Sequence, residues 1–188
     1  MRGGMGRVTD VAPAGLVPAA WLLTGAAHAS IASNRTLFIG LVVMDVALVA
    51  FALASVGEMT GAVLSAWRQV ILVGLLATLL GTADMAVDPG SNPALSVTLY
   101  AWMLLPAVAY FHTARETTRR PHRQVYLGAA ALSVLGTAIY SIPFIGVAGG
   151  TKVALAGIAV LGVGQTAGIV VAALQNQGER SRQVDPFI

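Results

Sequence analysis

The sequence predicts an all-α integral membrane protein with six transmembrane helices, and three observations predict it. The chain is 56% hydrophobic and 10% charged, whereas a soluble domain carries about a quarter of its residues as Asp, Glu, Lys or Arg. Apolar runs of roughly 20 residues recur, the length that crosses a hydrocarbon core of ~30 Å at ~1.5 Å per residue. Basic residues alternate from one side of these runs to the other. The runs are continuously apolar and about twice a barrel strand's length, so helices are expected rather than a transmembrane barrel.

The expected spans are 11–30, 36–57, 69–87, 94–113, 125–147 and 153–174. Short connections leave no stretch able to bury a water-soluble core. Residues 1–188 are therefore expected to form a single polytopic membrane domain ending in a flexible cytoplasmic tail, 175–188.

The first span follows Arg2 and Arg7 and ends in Ala27-His28-Ala29 before Ser30. That pattern also fits a cleaved secretory signal, which would leave five spans. The length of the apolar run, with Pro13 and Pro18 in or near its first turns, favours a retained helix.

The second span carries Asp45 about ten residues in, near the expected bilayer midplane, with no opposite charge at comparable depth on another span. An ionisable group there costs about 2.5–3.5 kcal/mol on insertion scales, so it is expected to face a hydrogen-bonding partner or a wet cavity. Gln165 and Thr166 of the sixth span lie at similar depth and are the expected partners.

The third span contains Leu79-Leu80-Gly81-Thr82-Ala83-Asp84. This echoes Leu22-Leu23-Thr24-Gly25-Ala26-Ala27-His28 in the first span and Val134-Leu135-Gly136-Thr137-Ala138-Ile139 in the fifth. Gly25, Gly81 and Gly136 are spaced by 56 and 55 residues, so the chain reads as three helical hairpins in pseudo-repeat. His28 and Asp84 each follow one of these glycines by three residues, and Tyr140 lies at a similar level. With the odd helices converging, His28, Asp84 and Tyr140 would line an outward vestibule above Asp45. Asp88 falls in the turn-rich loop Asp88-Pro89-Gly90-Ser91-Asn92-Pro93.

In the fourth span, the stretch from Tyr100 to Ala109 is similar to one helix of the microbial retinal-binding proteins. The resemblance covers that span alone. It implies a Schiff-base lysine within the last helix, and the only lysine is Lys152, at a membrane boundary after Gly149-Gly150. The loop from His112 to Arg123 is the most polar segment of the chain and suits phosphate groups or topology determination. In the sixth span, Gly157 with Leu161 and Gly162 offers a partly small face for close helix packing, Gly162 with Thr166 a clearer small pair, as Gly25 and Ala29 do in the first.

With the first end in the cytoplasm, Arg2, Arg7, Arg68, Arg115, Arg119, Arg120, Arg123, Arg180 and Arg182 lie inside, and Arg35 and Lys152 outside. Nine against two is a strong positive-inside bias, giving a multi-pass protein of the cell membrane with both termini cytoplasmic. The net charge of +3 then reflects topology and anionic headgroups, and nucleic acid is not an expected partner. The expected partners are membrane lipids, and partner membrane subunits or further copies of the chain.

Cysteine is absent, which removes thiolate metal sites and thiol nucleophiles. No G-x-S-x-G, H-E-x-x-H, Walker A or G-x-G-x-x-G motif occurs. His28 lies at the outer level and His112 and His122 at the inner, so no transmembrane haem pair emerges. His28 with Asp84 supplies too few ligands for zinc. No cofactor, metal or catalytic residue is favoured.

The expected function is a small-solute or ion transporter, a channel-like protein or a solute-binding transporter subunit, with Asp45, Gln165, Thr166, His28, Asp84 and Tyr140 as cavity residues. In architecture such a chain resembles the substrate-binding subunits of vitamin transporters. The alternatives are a noncatalytic accessory or assembly subunit of a larger membrane complex and a haem-type membrane redox protein.

Overall fold

The computed structural model describes residues 2–54, 61–88, 92–146 and 149–184, with side chains described for 14–53, 61–88, 92–146 and 149–175. It contains six α-helices: α1 (Arg2–His28), α2 (Asn34–Ala54), α3 (Ala62–Val87), α4 (Pro93–Glu116), α5 (Arg120–Ser141) and α6 (Gly150–Val184). Among the described residues, five helices, α2 to α6, have segments long and apolar enough to cross a membrane. The first half of α1 lies outside the described side chains.

Each helix exceeds its apolar run at one or both ends, because helical hydrogen bonding continues into the polar boundary that hydropathy excludes. α4 reaches Glu116 and α5 begins at Arg120, where the expected spans stop at 113 and start at 125. The segment 175–188, expected as a flexible tail, is helical as far as Val184. Gln175 to Val184 contains no proline, and the first one, Pro186, lies outside the described residues.

The ends have local causes. α1 closes with the amides of Ile31 and Ala32 both donating to the Ala26 carbonyl, at 2.8 and 3.0 Å, around Ser30 at φ 58°. α2 opens on Ser33, whose hydroxyl accepts the Thr36 amide at 3.1 Å, a serine cap. α5 runs into a 3-10 turn, Ile142–Ile145, which ends at Gly146 with φ 81°.

The helices form a closed ring. Each packs on its chain neighbours, α6 returns to α1, and α4 also touches α6. The α5–α6 contact is the most extensive and α1–α2 the lightest in the ring. At α5–α6 the backbones touch: a Cβ on Gly157 would lie 2.5 Å from the Tyr140 amide nitrogen, and one on Gly136 would lie 2.6 Å from the Gly157 carbonyl oxygen. Such approach brings dispersion contacts that apolar side chains facing lipid cannot supply.

The echoed glycines meet different neighbours. Gly81 faces Thr98 on α4 and Gly136 faces α6, each the next helix in the chain, but Gly25 lies toward Ile158 of α6. Trp21, Met103, Tyr140, Ala154, Ile158 and Leu161 form one core cluster, and Tyr110, Ala114, Tyr126, Ala129 and Ala130 another. Large apolar side chains also point outward, Val46 at 65% and Leu53 at 71% exposure on α2. Water would not tolerate so many, and lipid would.

Candidate functional site

The polar side chains of the spans form a belt across five helices. On α1 the Trp21 indole N–H donates to Gln165 Oε1 on α6 at 3.1 Å. The Gln165 amide donates to two α4 carbonyls, Trp102 at 3.1 Å and Met103 at 3.2 Å. The Trp102 indole N–H donates to Thr78 Oγ1 on α3 at 2.8 Å. One turn along α3, the Thr82 hydroxyl lies 2.9 Å from the Thr78 carbonyl and 2.7 Å from Asp45 Oδ2 on α2.

A helix irregularity explains why Gln165 reaches main-chain acceptors. Pro106 sits inside α4 and has no N–H, so the carbonyl four residues back, that of Trp102, loses its helical donor. Gln165 supplies the replacement. Its own backbone carbonyl accepts the Tyr110 hydroxyl at 2.7 Å, and Gln165 is 2% exposed, so little of it is left for a ligand.

Asp45 differs. It is the twelfth of the 21 residues of α2 and 8% exposed. Its Oδ1 is buried with no hydrogen-bond partner among the described residues. An unmet buried carboxylate oxygen costs several kcal/mol when charged, and such an atom in a native fold calls for a water, an ion or a ligand to complete it. The Thr82 hydroxyl carries one proton yet faces two acceptors. With a proton on Asp45, the carboxyl O–H donates to Thr82 Oγ1 and the Thr82 O–H donates to the Thr78 carbonyl, so both contacts are made at once. With Asp45 charged, Thr82 turns its proton to the carboxylate. Rotation of one hydroxyl thus follows the protonation of one acid.

A second cluster lies toward the end of the bundle that carries the α1–α2 and α5–α6 connections. His28 Nδ1 faces the Thr24 carbonyl at 2.9 Å, an acceptor, so that nitrogen carries the proton in the neutral ring. His28 Nε2 then accepts the Tyr140 hydroxyl, also at 2.9 Å. Tyr140 packs edge-on against both His28 and Tyr100, and the Tyr100 hydroxyl is 2.9 Å from Ser141 Oγ.

The structure therefore brings His28 and Tyr140 together, and separates the other candidates. Asp84 is engaged elsewhere: its Oδ2 accepts the Ala94 amide at 2.8 Å in the first turn of α4, where a carboxylate meets unpaired N–H groups and the positive helix end. Asp45 and Gln165 lie on α2 and α6, which do not pack together among the described residues, so the acid's partner is Thr82 and not Gln165. Thr166 is half-buried and takes no part in the belt.

Sequence reasoning missed Trp21, Thr78, Thr82 and Trp102. A usable signal was present, since an indole N–H within an apolar span must find an acceptor. No three His, Cys, Asp or Glu side chains converge as a metal site among the described residues. Compared with protein-family models, curated proteins and solved structures, the chain matches none.

Proposed function

We propose that the chain is a multi-pass protein of the cell membrane that crosses six times, α1 included, with both termini in the cytoplasm. It acts as a small-solute or ion transporter, or as the solute-binding subunit of one, and Asp45 is its proton-binding group. The observation that carries this reading is the buried Asp45 carboxyl in the middle of α2, met through Oδ2 by the single hydroxyl of Thr82, in a setting where a charged acid is costly and a proton removes the charge.

The proton suits the site better than a larger cation. A hard cation such as Ca2+ takes six to eight oxygens, whereas the partners described around Asp45 reduce to the Thr82 hydroxyl and, through it, the Thr78 carbonyl. A proton needs one lone pair and a hydroxyl able to turn. Six crossings are supported by α1 itself, whose Trp21 is buried against α6 and whose His28 joins the Tyr140 cluster. Orientation rests on the nine arginines of the inner side. The shared glycine contacts of the second and third hairpins support a pseudo-repeat in which the first hairpin has diverged.

The test is reconstitution into liposomes loaded with a pH-sensitive dye, with the membrane potential clamped by potassium and valinomycin. The protein should collapse an imposed pH gradient faster than protein-free liposomes do. An unchanged rate with correctly folded, inserted protein would refute a proton path through Asp45 that runs without solute or partner.

A further inference from the structure

One face of α5 changes character along its length. Arg120, Arg123, Gln124 and Leu127 line a shallow, open depression on the outer surface at the start of the helix. The three- and four-residue spacing continues through Ala131, Val134, Leu135 and Ala138, all exposed, with Val134 at 55% and Leu135 at 52%. Residues at that spacing share one helix face. The opposite face, including Ala129, Ser133, Gly136 and Tyr140, is buried. Arg120 and Arg123 are exposed and have no carboxylate partner among the described residues.

We propose that this face binds an anionic phospholipid. The phosphodiester sits on the guanidinium groups of Arg120 and Arg123, which match phosphate oxygens with paired donors. Gln124 donates to the headgroup, and an acyl chain lies along Leu127, Ala131, Val134 and Leu135. Two arginines alone would take any phosphate. The apolar strip running directly from them on the same helix face selects an amphiphile, a phosphate joined to a hydrocarbon chain. A zwitterionic lipid fits less well, since its own cation competes with the arginines. The inference rests on α5 crossing the bilayer and is independent of what Asp45 does.

The experiment uses the full chain in neutral detergent and reads lipid retention by native mass spectrometry and Tm on addition of phosphatidylglycerol, phosphatidylcholine or glycerol 3-phosphate. Phosphatidylglycerol should be retained and raise Tm, and phosphatidylcholine should bind about tenfold more weakly. Arg120→Gln with Arg123→Gln should remove that preference, while Arg115→Gln with Arg119→Gln should keep it. Equal retention of the two lipids by the native chain overturns the proposal without any variant. So does equal loss in both arginine pairs, which would indicate diffuse charge, or glycerol 3-phosphate competing as well as the lipid, which would indicate a free-phosphate site. A chain that stays soluble without detergent and ignores vesicles would instead overturn the membrane reading itself.

Discussion

Gln165 on α6 donates its side-chain amide to the Trp102 carbonyl that Pro106, four residues on in α4, leaves without a helical donor. A proline inside a membrane helix is tolerated when a neighbour satisfies the freed carbonyl. Here the neighbour also accepts from Trp21 on α1, so a single amide ties three helices.

The pair gives a double-mutant cycle. Gln165→Leu should lower stability by about 1–2 kcal/mol, near the upper end for interhelical bonds in membranes, because it strands the Trp102 carbonyl and the Trp21 indole. In a Pro106→Ala background the helix recovers its own bond to Trp102, and the same change should cost measurably less. Unfolding midpoints in mixed detergent micelles read both. Additive costs would show that Gln165 does not compensate for the proline.

The α5–α6 seam should be intolerant at glycine. Gly157→Val places its branched side chain where even a Cβ lies 2.5 Å from the Tyr140 amide nitrogen, and backbone cannot yield as a side chain does. A loss of ~3 kcal/mol or more is expected, visible as a failure to hold folded, monodisperse protein in detergent. Gly25→Ala is the control, since its Cβ would find only Ile158 Cγ2 at 4.0 Å, and its Tm should be unchanged.

Asp84→Ala removes the acceptor of the Ala94 amide and should destabilise the protein by about 1 kcal/mol, the cost of losing a helix cap. Asp84→Asn, which keeps an acceptor oxygen, should recover part of it. Both should leave proton flux unchanged per folded protein. A flux defect would return Asp84 to the transport path.

Thr82→Val preserves shape and deletes the hydroxyl that Asp45 Oδ2 faces. It should lower stability by about 1–3 kcal/mol by leaving a buried carboxyl wholly unpaired and should slow proton flux, and Thr82→Ser should restore both. Stability loss with normal flux would make Thr82 a structural partner only.

The apolar runs made the helices legible in the sequence, and they located Asp45, Gln165, His28 and Tyr140 as polar groups within them. Helix ends were less legible, because hydropathy reports the thickness of the apolar layer whereas Pro93 and Arg120 begin helices outside it. The partner of Asp45 was not legible. Depth alone made Gln165 and Thr166 the expected partners, and only ring order, with α2 against α3 and α6 against α1, brings Thr82 to the acid instead. Asp84 shows the opposite error: its place three residues after Gly81 suggested a vestibule, but ten residues later the start of α4 supplies its donor.

Proton flux through Asp45→Asn in dye-loaded liposomes, normalised to folded protein by Tm and gel filtration, tests the central claim most directly. Asparagine keeps the size and the acceptor for Thr82 but cannot gain or lose a proton in this range. The account predicts a folded protein whose flux falls to that of empty liposomes. Flux equal to the native chain's would contradict it and leave Asp45 as a buried structural acid.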